Sequence, residues 1–565
     1  MKKIVKILSL TLVIALLLSG CKDTNNSGSN PNDNNIGNNN NDASGGAPID
    51  VDFAKSDEDM FSGRDTDADY NANKSVSIQL NGSSASCNSN SVQIDGSTIT
   101  LTEEGTYILS GALDNGTIIV DADSSDKLQL VLDNATINSE TSAPIYISEA
   151  DKVFITLADG SSNTLSNGGT FTAIDENNID AAVFSRQDLT FNGSGSLSVI
   201  SPSGHGIACK DDLVVTGGTY NITSASHGLD ANDSFRMKDA NITIAAGKDG
   251  IHVENSDDDT LGFIYIGNGT LDISAEGDGI SAGYYIQIEG GTFDLLCGGS
   301  TSMKGLKSGN SILINAGAFT IDSADDAIHS NASVYINNGN FTIASGDDAF
   351  HAEETLAITG GTATITKCYE GFEAIEIYIS GGEYIIHADD DGMNAAGGTD
   401  GSGSGGGRDG MFGADKGNSG SANGNIEISG GKLTIYASGD GLDSNGNITI
   451  SGGYTYVTNP NSGDTSVLDS DNAPIITGGT YIGIGITTMM AETFSTSSSQ
   501  GVIACSVESQ AAGSEISITD ADGNTVLSLE SEYAIAIVII STPDIVKGET
   551  YELVVGTASG SIEAN

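Results

Sequence analysis

Pairs of adjacent carboxylates recur in register through the middle of the chain: Asp325-Asp326, Asp347-Asp348 and Asp390-Asp391, with Tyr369-Glu370 at the matching place of another unit. Each stands just before a small residue and a bulky apolar one, as in Ala327-Ile328, Ala349-Phe350, Gly371-Phe372 and Gly392-Met393. If successive units stack, like positions become neighbours about 4.8 Å apart. Two ionised carboxylates at that distance repel by about 1 kcal/mol in water and about 3.5 kcal/mol at an effective dielectric of about 20. Such a column needs positive charge between its units. One column holds Asp249, Asp278, Asp326, Asp348, Glu370, Asp391 and Asp440; a second, two residues past the small one, holds His329, His351, Glu373, Asn394 and Asp443; a third holds Asp325, Asp347 and Asp390.

Calcium suits this set, because it is a hard ion that takes about six to eight oxygen ligands at about 2.3–2.6 Å. The expected ligands are the acids of the three columns: Asp249, Asp278, Asp325, Asp326, Asp347, Asp348, Glu370, Glu373, Asp390, Asp391, Asp440 and Asp443. Only His329 and His351 adjoin among these oxygens, so a transition metal fits less well. Turn capping accounts for single aspartates beside glycine but less well for pairs in register.

Met303-Lys304-Gly305-Leu306-Lys307 places two lysines where neighbouring units have acids. They either balance the columns or, as ligand-binding candidates, meet a uronate carboxylate beside bound calcium. A lysine near calcium could also remove a proton alpha to a carboxylate, which is lyase chemistry. Catalysis ranks last of these readings, and no catalytic residue is assigned.

The elements that position these residues follow from the repeat. Its small residues are Gly206, Gly228, Gly250, Gly279, Gly305, Ala327, Ala349, Gly371, Gly392 and Gly441, at intervals of 22, 22, 29, 26, 22, 22, 22, 21 and 49. About ten residues later each unit closes, often on Gly-Gly, as at 217–218, 290–291, 360–361, 381–382 and 452–453. In the unit from Gly339 to Gly361, Phe341, Ile343, Phe350, Leu356 and Ile358 are the large apolar positions and alternate with polar or small ones. Two or three short period-two strands in about 22 residues predict one turn of a right-handed parallel β-helix, an all-β solenoid with β caps. The leucine-rich frame L-x-x-L-x-L-x-x-N is absent, and antiparallel sandwiches would not keep this register.

The chain has 565 residues, 74 Gly, 7 Pro and no Trp, with a formal charge of −55 from 76 acidic and 21 basic residues. That charge excludes a nucleic-acid partner. Lys2 and Lys3, an apolar run from Ile7 to Leu18 and the ending Leu18-Ser19-Gly20-Cys21 predict a bacterial lipoprotein signal over 1–20, with lipid on Cys21. Residues 21–48 form an Asn/Ser/Gly tether, 49–140 an N-terminal β cap and first coils, 141–482 the β-helix with a loop insertion at 397–424, and 483–565 a small C-terminal β domain. Arg64 to Tyr70, with alternate aspartates, reads as a calcium loop or a solvated acidic turn, and Asp520 to Asn524 as a hairpin turn. Cys87, Cys209, Cys297, Cys368 and Cys505 are too irregular for a disulfide framework and read as small core residues.

The stretches Lys210-Asp211-Asp212-Leu213, Lys304-Gly305-Leu306-Lys307-Ser308, Asp325-Asp326-Ala327-Ile328-His329, Asp347-Asp348-Ala349-Phe350-His351, Tyr369-Glu370-Gly371-Phe372-Glu373 and Asp390-Asp391-Gly392-Met393-Asn394 resemble those of clostridial carbohydrate-binding domain-containing proteins. With Ala150-Asp151-Lys152-Val153, the resemblance spans most of residues 60–565. It implies a calcium-decorated right-handed β-helix, shaped like a pectate lyase, that binds acidic or cellulosic plant polysaccharides such as polygalacturonate. Ala327 and Ala349 depart from the usual glycine, and the loop after Gly397 puts groove contacts near Gly392 in doubt. Without Trp, and with only 17 Tyr and 15 Phe, flat aromatic platforms are scarce, so bridging calcium and a few lysines must hold an acidic glycan. The expectation is a monomeric, non-catalytic cell-surface lipoprotein that touches the membrane only through its lipid. A calcium-dependent lyase and a structural spacer or adhesin stay open.

Overall fold

The computed structural model describes residues 51–396, 424–459, 461, 463, 465–488 and 491–565. The expected signal segment, the lipidated Cys21, the tether and the loop up to residue 423 lie outside them. The repeats form a β-solenoid of about 15 turns with roughly 24 residues per turn. The longer average reflects units stretched by inserts.

Each turn contributes three strands. In one unit these are Ile328–Ser330, Ser333–Ile336 and Asn340–Ala344; in the next, Phe350–Ala352, Thr355–Ile358 and Thr362–Cys368. They pair parallel and in register, Ile328 with Phe350, Val334 with Leu356 and Phe341 with Ala363. First-position strands make a 16-stranded sheet, called here the first face; the others form the second and third faces within a 32-stranded sheet. Alternation points one set of side chains inward, and Phe341, Ile343, Phe350, Leu356 and Ile358 are all buried. Rings at equivalent positions stack between turns: Phe293 on Phe319 at 4.5 Å, Phe319 on Phe341 at 4.8 Å and Phe350 on Phe372 at 5.3 Å. The second glycine of the Gly-Gly turns supplies a left-handed corner, with φ of 85° at Gly361 and 90° at Gly382.

At the N-terminal end, Val92–Asp95 and Thr98–Leu101 pair antiparallel before the parallel ladder begins. At the other end, Thr480–Gly485 pairs antiparallel with Ile535–Ser541 and stops it. A four-stranded antiparallel sheet follows around Ile516, Ile518, Tyr551 and Leu553. Asp520 makes the expected hairpin turn, its carboxylate accepting the N–H groups of Asp522 and Asn524. Cys209, Cys297 and Cys368 are buried free thiols, whereas Cys87 and Cys505 are only partly covered.

The stretch from Arg64 to Tyr70 is only in part the solvated acidic turn expected: Asp67 and Asp69 are exposed, but Asp65 is buried. It belongs to an arm, residues 51–70, that crosses the outside of the second face as a strap. Two four-residue helices, Asp57–Met60 and Gly63–Thr66, each begin with a serine capping box. The Asp65 carboxylate closes the second box and is buried against Lys152, at 2.8 Å, and the Thr190 hydroxyl, at 2.8 Å.

Candidate functional site

The acids of the first column sit at the corner leading into the first face, and all but Glu370 treat their two oxygens differently. One oxygen accepts the backbone N–H of the same position one turn on: Asp278 to Asp249 at 2.8 Å, Lys304 to Asp278 at 2.8 Å, Asp348 to Asp326 at 3.0 Å and Glu370 to Asp348 at 3.2 Å. Asp440 donates to Asp391, and Ser466 to Asp440, in the same way. These corner amides have strand neighbours on one side only, so a carboxylate from the next turn satisfies a donor that would otherwise be buried and unpaired. This explains why an acid belongs at the corner.

The second oxygen is where charge is settled. Asp249 faces Nδ1 of His252 at 3.0 Å and of His227 at 3.3 Å, and Asp278 binds Lys307 at 3.1 Å. Asp326 meets Lys304 at 2.7 Å and His329 at 2.7 Å, and Lys304 also holds Asp325 at 2.8 Å. Asp348 and Glu373 share Nδ1 of His351, at 3.0 and 2.7 Å. Burial alone would raise the Asp326 carboxyl, but His329 and Lys304 hold it well below the usual range.

From Asp348 onward this compensation fades. The second column, in register, runs Lys307, His329, His351, Glu373, Asn394, Asp443 and Asp469, so a lysine and two imidazoles give way to acids and an amide. Burial, then the Asp326 and Glu373 carboxylates, push Asp348 well above the usual range. Burial and the Asp348 and Glu373 charges do the same to Glu370, and burial with Asp440 and Asp390 does so to Asp391. Glu370 accepts the Asn394 amide at 3.1 Å on one oxygen, while its other oxygen is buried and accepts no hydrogen bond. Asp390 is engaged by the Tyr369 hydroxyl.

Of the residues expected to hold metal, Asp325, Asp326 and Asp347 converge, with ligand atoms within 4.8 Å of one another, as do Asp348, Glu373 and His351. Lys304 already neutralises Asp325 and Asp326, and Lys307 engages Asp278. Around Glu370 and Asp391 the neighbouring side chains include Asp390, Asp440, Asp443 and the Asn394 amide, whose oxygens suit a hard cation. Lys304 itself is buried; burial would lower its pKa, but Asp326 and Asp325 push it up, which favours the ammonium form. Lys307 is the more accessible of the two, its side chain 44% exposed.

A second cluster was overlooked in the sequence. His205, His227 and His252 stack at 5.1 and 4.4 Å beside Asp230 and Asp249, and His329 stacks on His351 at 4.7 Å. Its signal was present: His205-Gly206 and His227-Gly228 occupy the same place as Asp before the small residue, and His252 lies two past Gly250.

Comparisons with known proteins come on top of this geometry. Residues 95–349 match the family described as carbohydrate-binding domain-containing protein. A carbohydrate-binding domain-containing protein of Acetivibrio thermocellus is 38% identical over 138 residues, which are 24% of this chain and 48% of that protein. The chain thus spans about half the length of the curated relative it matches. Among solved structures, a polysaccharide lyase-like protein from C. thermocellum, as its gadolinium derivative, is 29% identical, with 50% of this chain and 96% of that chain covered and a TM-score of 0.37.

Proposed function

We propose, from the premise that residues 95–349 are of the carbohydrate-binding domain-containing family, that this protein binds acidic or cellulosic polysaccharide through a calcium-bearing β-helix and does not cleave it. The observation that supports the calcium reading is the set of buried carboxyls Asp348, Glu370 and Asp391, each pushed up by burial and neighbouring acids, with one Glu370 oxygen accepting no hydrogen bond. Calcium held there supplies positive charge on a strongly acidic molecule, and an acidic glycan shares that charge. Asp348, Glu370, Glu373, Asp391, Asp440 and Asp443 would hold it, with Asp347 and Asp390 beside them. Lys307, partly exposed on the first face, lies where a uronate carboxylate can reach it.

The leader and Cys21 support a lipid anchor on the outer face of a bacterial membrane. Fractionation of a Cys21→Ala variant checks this: a protein that stays with the membrane would remove the anchor.

The binding test is a pull-down on polygalacturonate and on cellulose, with calcium and with chelator, while ultraviolet absorbance follows unsaturated uronide products. The expected result is retention on polygalacturonate that falls on chelation, with no product. Unchanged retention in chelator would sink the calcium bridge. Product formation would make the protein a lyase, and calcium uptake with no retention would make it a surface spacer.

A further inference from the structure

The strap lies on the part of the molecule with the composition of a glycan-binding surface. Between Val51 and Tyr70 there are seven acids (Asp52, Asp57, Glu58, Asp59, Asp65, Asp67 and Asp69) against Lys55 and Arg64, so the strap is strongly acidic. The face beneath it gathers Lys127, Lys152, Arg236 and Lys238 from a chain with only 21 basic residues. The strap's carboxylates occupy two of these cations: Asp57 binds Lys238 and, at 2.9 Å, the Tyr265 hydroxyl; Asp65 binds Lys152, whereas Arg236 pairs with Asp212 of the face itself and Lys127 with Asp151. The Met60 carbonyl accepts from Arg236 at 3.0 Å. Gln287 pairs with the Lys55 backbone in both directions, at 2.9 and 2.7 Å, as an amide pairs with any chain of alternating donors and acceptors. Arg64 lies over the Phe154 ring at 4.9 Å, and Phe61 meets Tyr265 edge-on at 5.9 Å.

From Gln287 to Lys152 the strap crosses six strands of the second face, five steps of about 4.8 Å, so about 24 Å of this surface is covered. It is held by polar contacts more than by buried apolar surface. Met60 and Asp65 are its only buried residues, and a cleft of about 410 Å3 remains between strap and face, bounded by Met60, Phe61, Lys152, Phe154 and Arg236. Structural contacts inside proteins are close-packed and leave no such gap.

We propose that the outer surface of the second face between Lys152 and Gln287 is a binding surface for a uronate polysaccharide, and that residues 51–70 cover it as a displaceable acidic strap. The glycan's carboxylates take the places of Asp57 and Asp65 on Lys238 and Lys152, and its ring faces lie on Phe154 and Tyr265. Gln287, freed from Lys55, pairs with sugar hydroxyls. The strap competes with the ligand, so apparent affinity falls by the fraction of time that the surface is open. The inference rests on the polysaccharide-binding reading but places the site away from the calcium corner and makes contact there independent of calcium.

The test uses the full chain and polygalacturonate as probe, with titrations in calcium and in chelator and with hydrogen exchange of residues 51–70. An Asp57→Asn, Asp65→Asn variant is expected to exchange faster in the strap and to bind on the order of tenfold tighter in chelator, as for a surface closed about nine-tenths of the time. Adding Lys152→Gln and Lys238→Gln should remove the gain. A synthetic peptide of residues 51–70 should compete with the glycan on the loosened variant. A loosened strap with unchanged affinity overturns the proposal. Should the substitutions leave the strap docked, the wild-type chain decides: saturating glycan must speed strap exchange, and full protection in the bound state overturns the idea. Wild-type binding that needs calcium and leaves the strap protected keeps the calcium reading and rejects this one. Calcium-independent binding that releases the strap does the reverse, and no binding by either protein rejects both.

Discussion

Asp326 divides its oxygens between the Asp348 N–H and the Lys304 ammonium and His329 ring, so removing Lys304 does more than change a charge count. Lys304→Met fills the volume but leaves Asp325 and Asp326 buried without their ammonium, and losing one partner of a buried ion pair costs about 3–5 kcal/mol. Urea unfolding at neutral pH in chelator should show that loss, and calcium should recover part of it by standing in for the ammonium. A loss below about 1 kcal/mol is the scale of a solvent-screened pair and would mean that water does this work. The acids beyond Lys304 carry a pH signature. Asp348, Glu370 and Asp391 are raised by burial first and by neighbouring acids second. A carboxyl whose folded pKa is raised contributes stability that is present below its unfolded value, about 4, and lost as pH rises through the folded value. In chelator, the melting temperature should therefore fall from about pH 5 to about pH 8 as far as these groups govern it. Calcium favours their charged forms and should add more at the higher pH. An increment from calcium that is equal at both pH values would separate these acids from any ion.

At the scale of elements, the strap responds to pH in the opposite sense. Burial would raise Asp65, but the Lys152 ammonium and the Ser62 and Thr190 hydroxyls outweigh it and hold the carboxyl at about 2. A depressed carboxyl contributes stability above its unfolded pKa and loses it as pH falls through the folded one, here worth about 2 kcal/mol. Strap protection in hydrogen exchange should hold at neutral pH and disappear between about pH 4 and about pH 2, while Asp65→Asn should be weakly protected throughout. Persistence of wild-type protection at about pH 2 would show that apolar contacts hold the strap. None of this docking was legible in the sequence. The boxes Ser56 to Asp59 and Ser62 to Asp65 are visible in it, but their partners lie as far off as Gln287 and belong to no repeat. The coils were legible for the converse reason: every small-apolar step is repeated, so one unit's alternation fixes the next. The acidic columns could be read as columns, yet sequence shows an acid without showing that one oxygen faces a backbone N–H. The expectation of metal between the columns weighed Lys304 and Lys307 as balancing charges but not the histidines as hydrogen-bonding partners built into the chain.

For the whole molecule, a formal charge of −55 is spread over a solenoid in which each turn touches mainly its neighbours. Stability is then local, and a run of closely spaced acids weakens the turns that carry it without unfolding the rest. The turns between Asn163 and Ile336 contain the histidine cluster, Lys304 and Lys307, and the strap braces part of them; those between Thr355 and Ile450 have acids facing acids. In chelator at low salt, hydrogen exchange should quicken first in the strands Thr355–Ile358, Glu376–Ile379, Asn425–Ile428 and Asn447–Ile450, while Asp212–Thr216 and Ser234–Lys238 stay protected. Calcium at about 1 mM should restore the first group. Sodium chloride at about 0.15 M screens exposed charges over about 8 Å but reaches buried pairs poorly, so it should restore much less. Equal rescue by both salts would reduce the acidic corner to general repulsion. Rescue confined to calcium would locate the ions on the turns between Asp348 and Asp443, apart from the face that the strap covers.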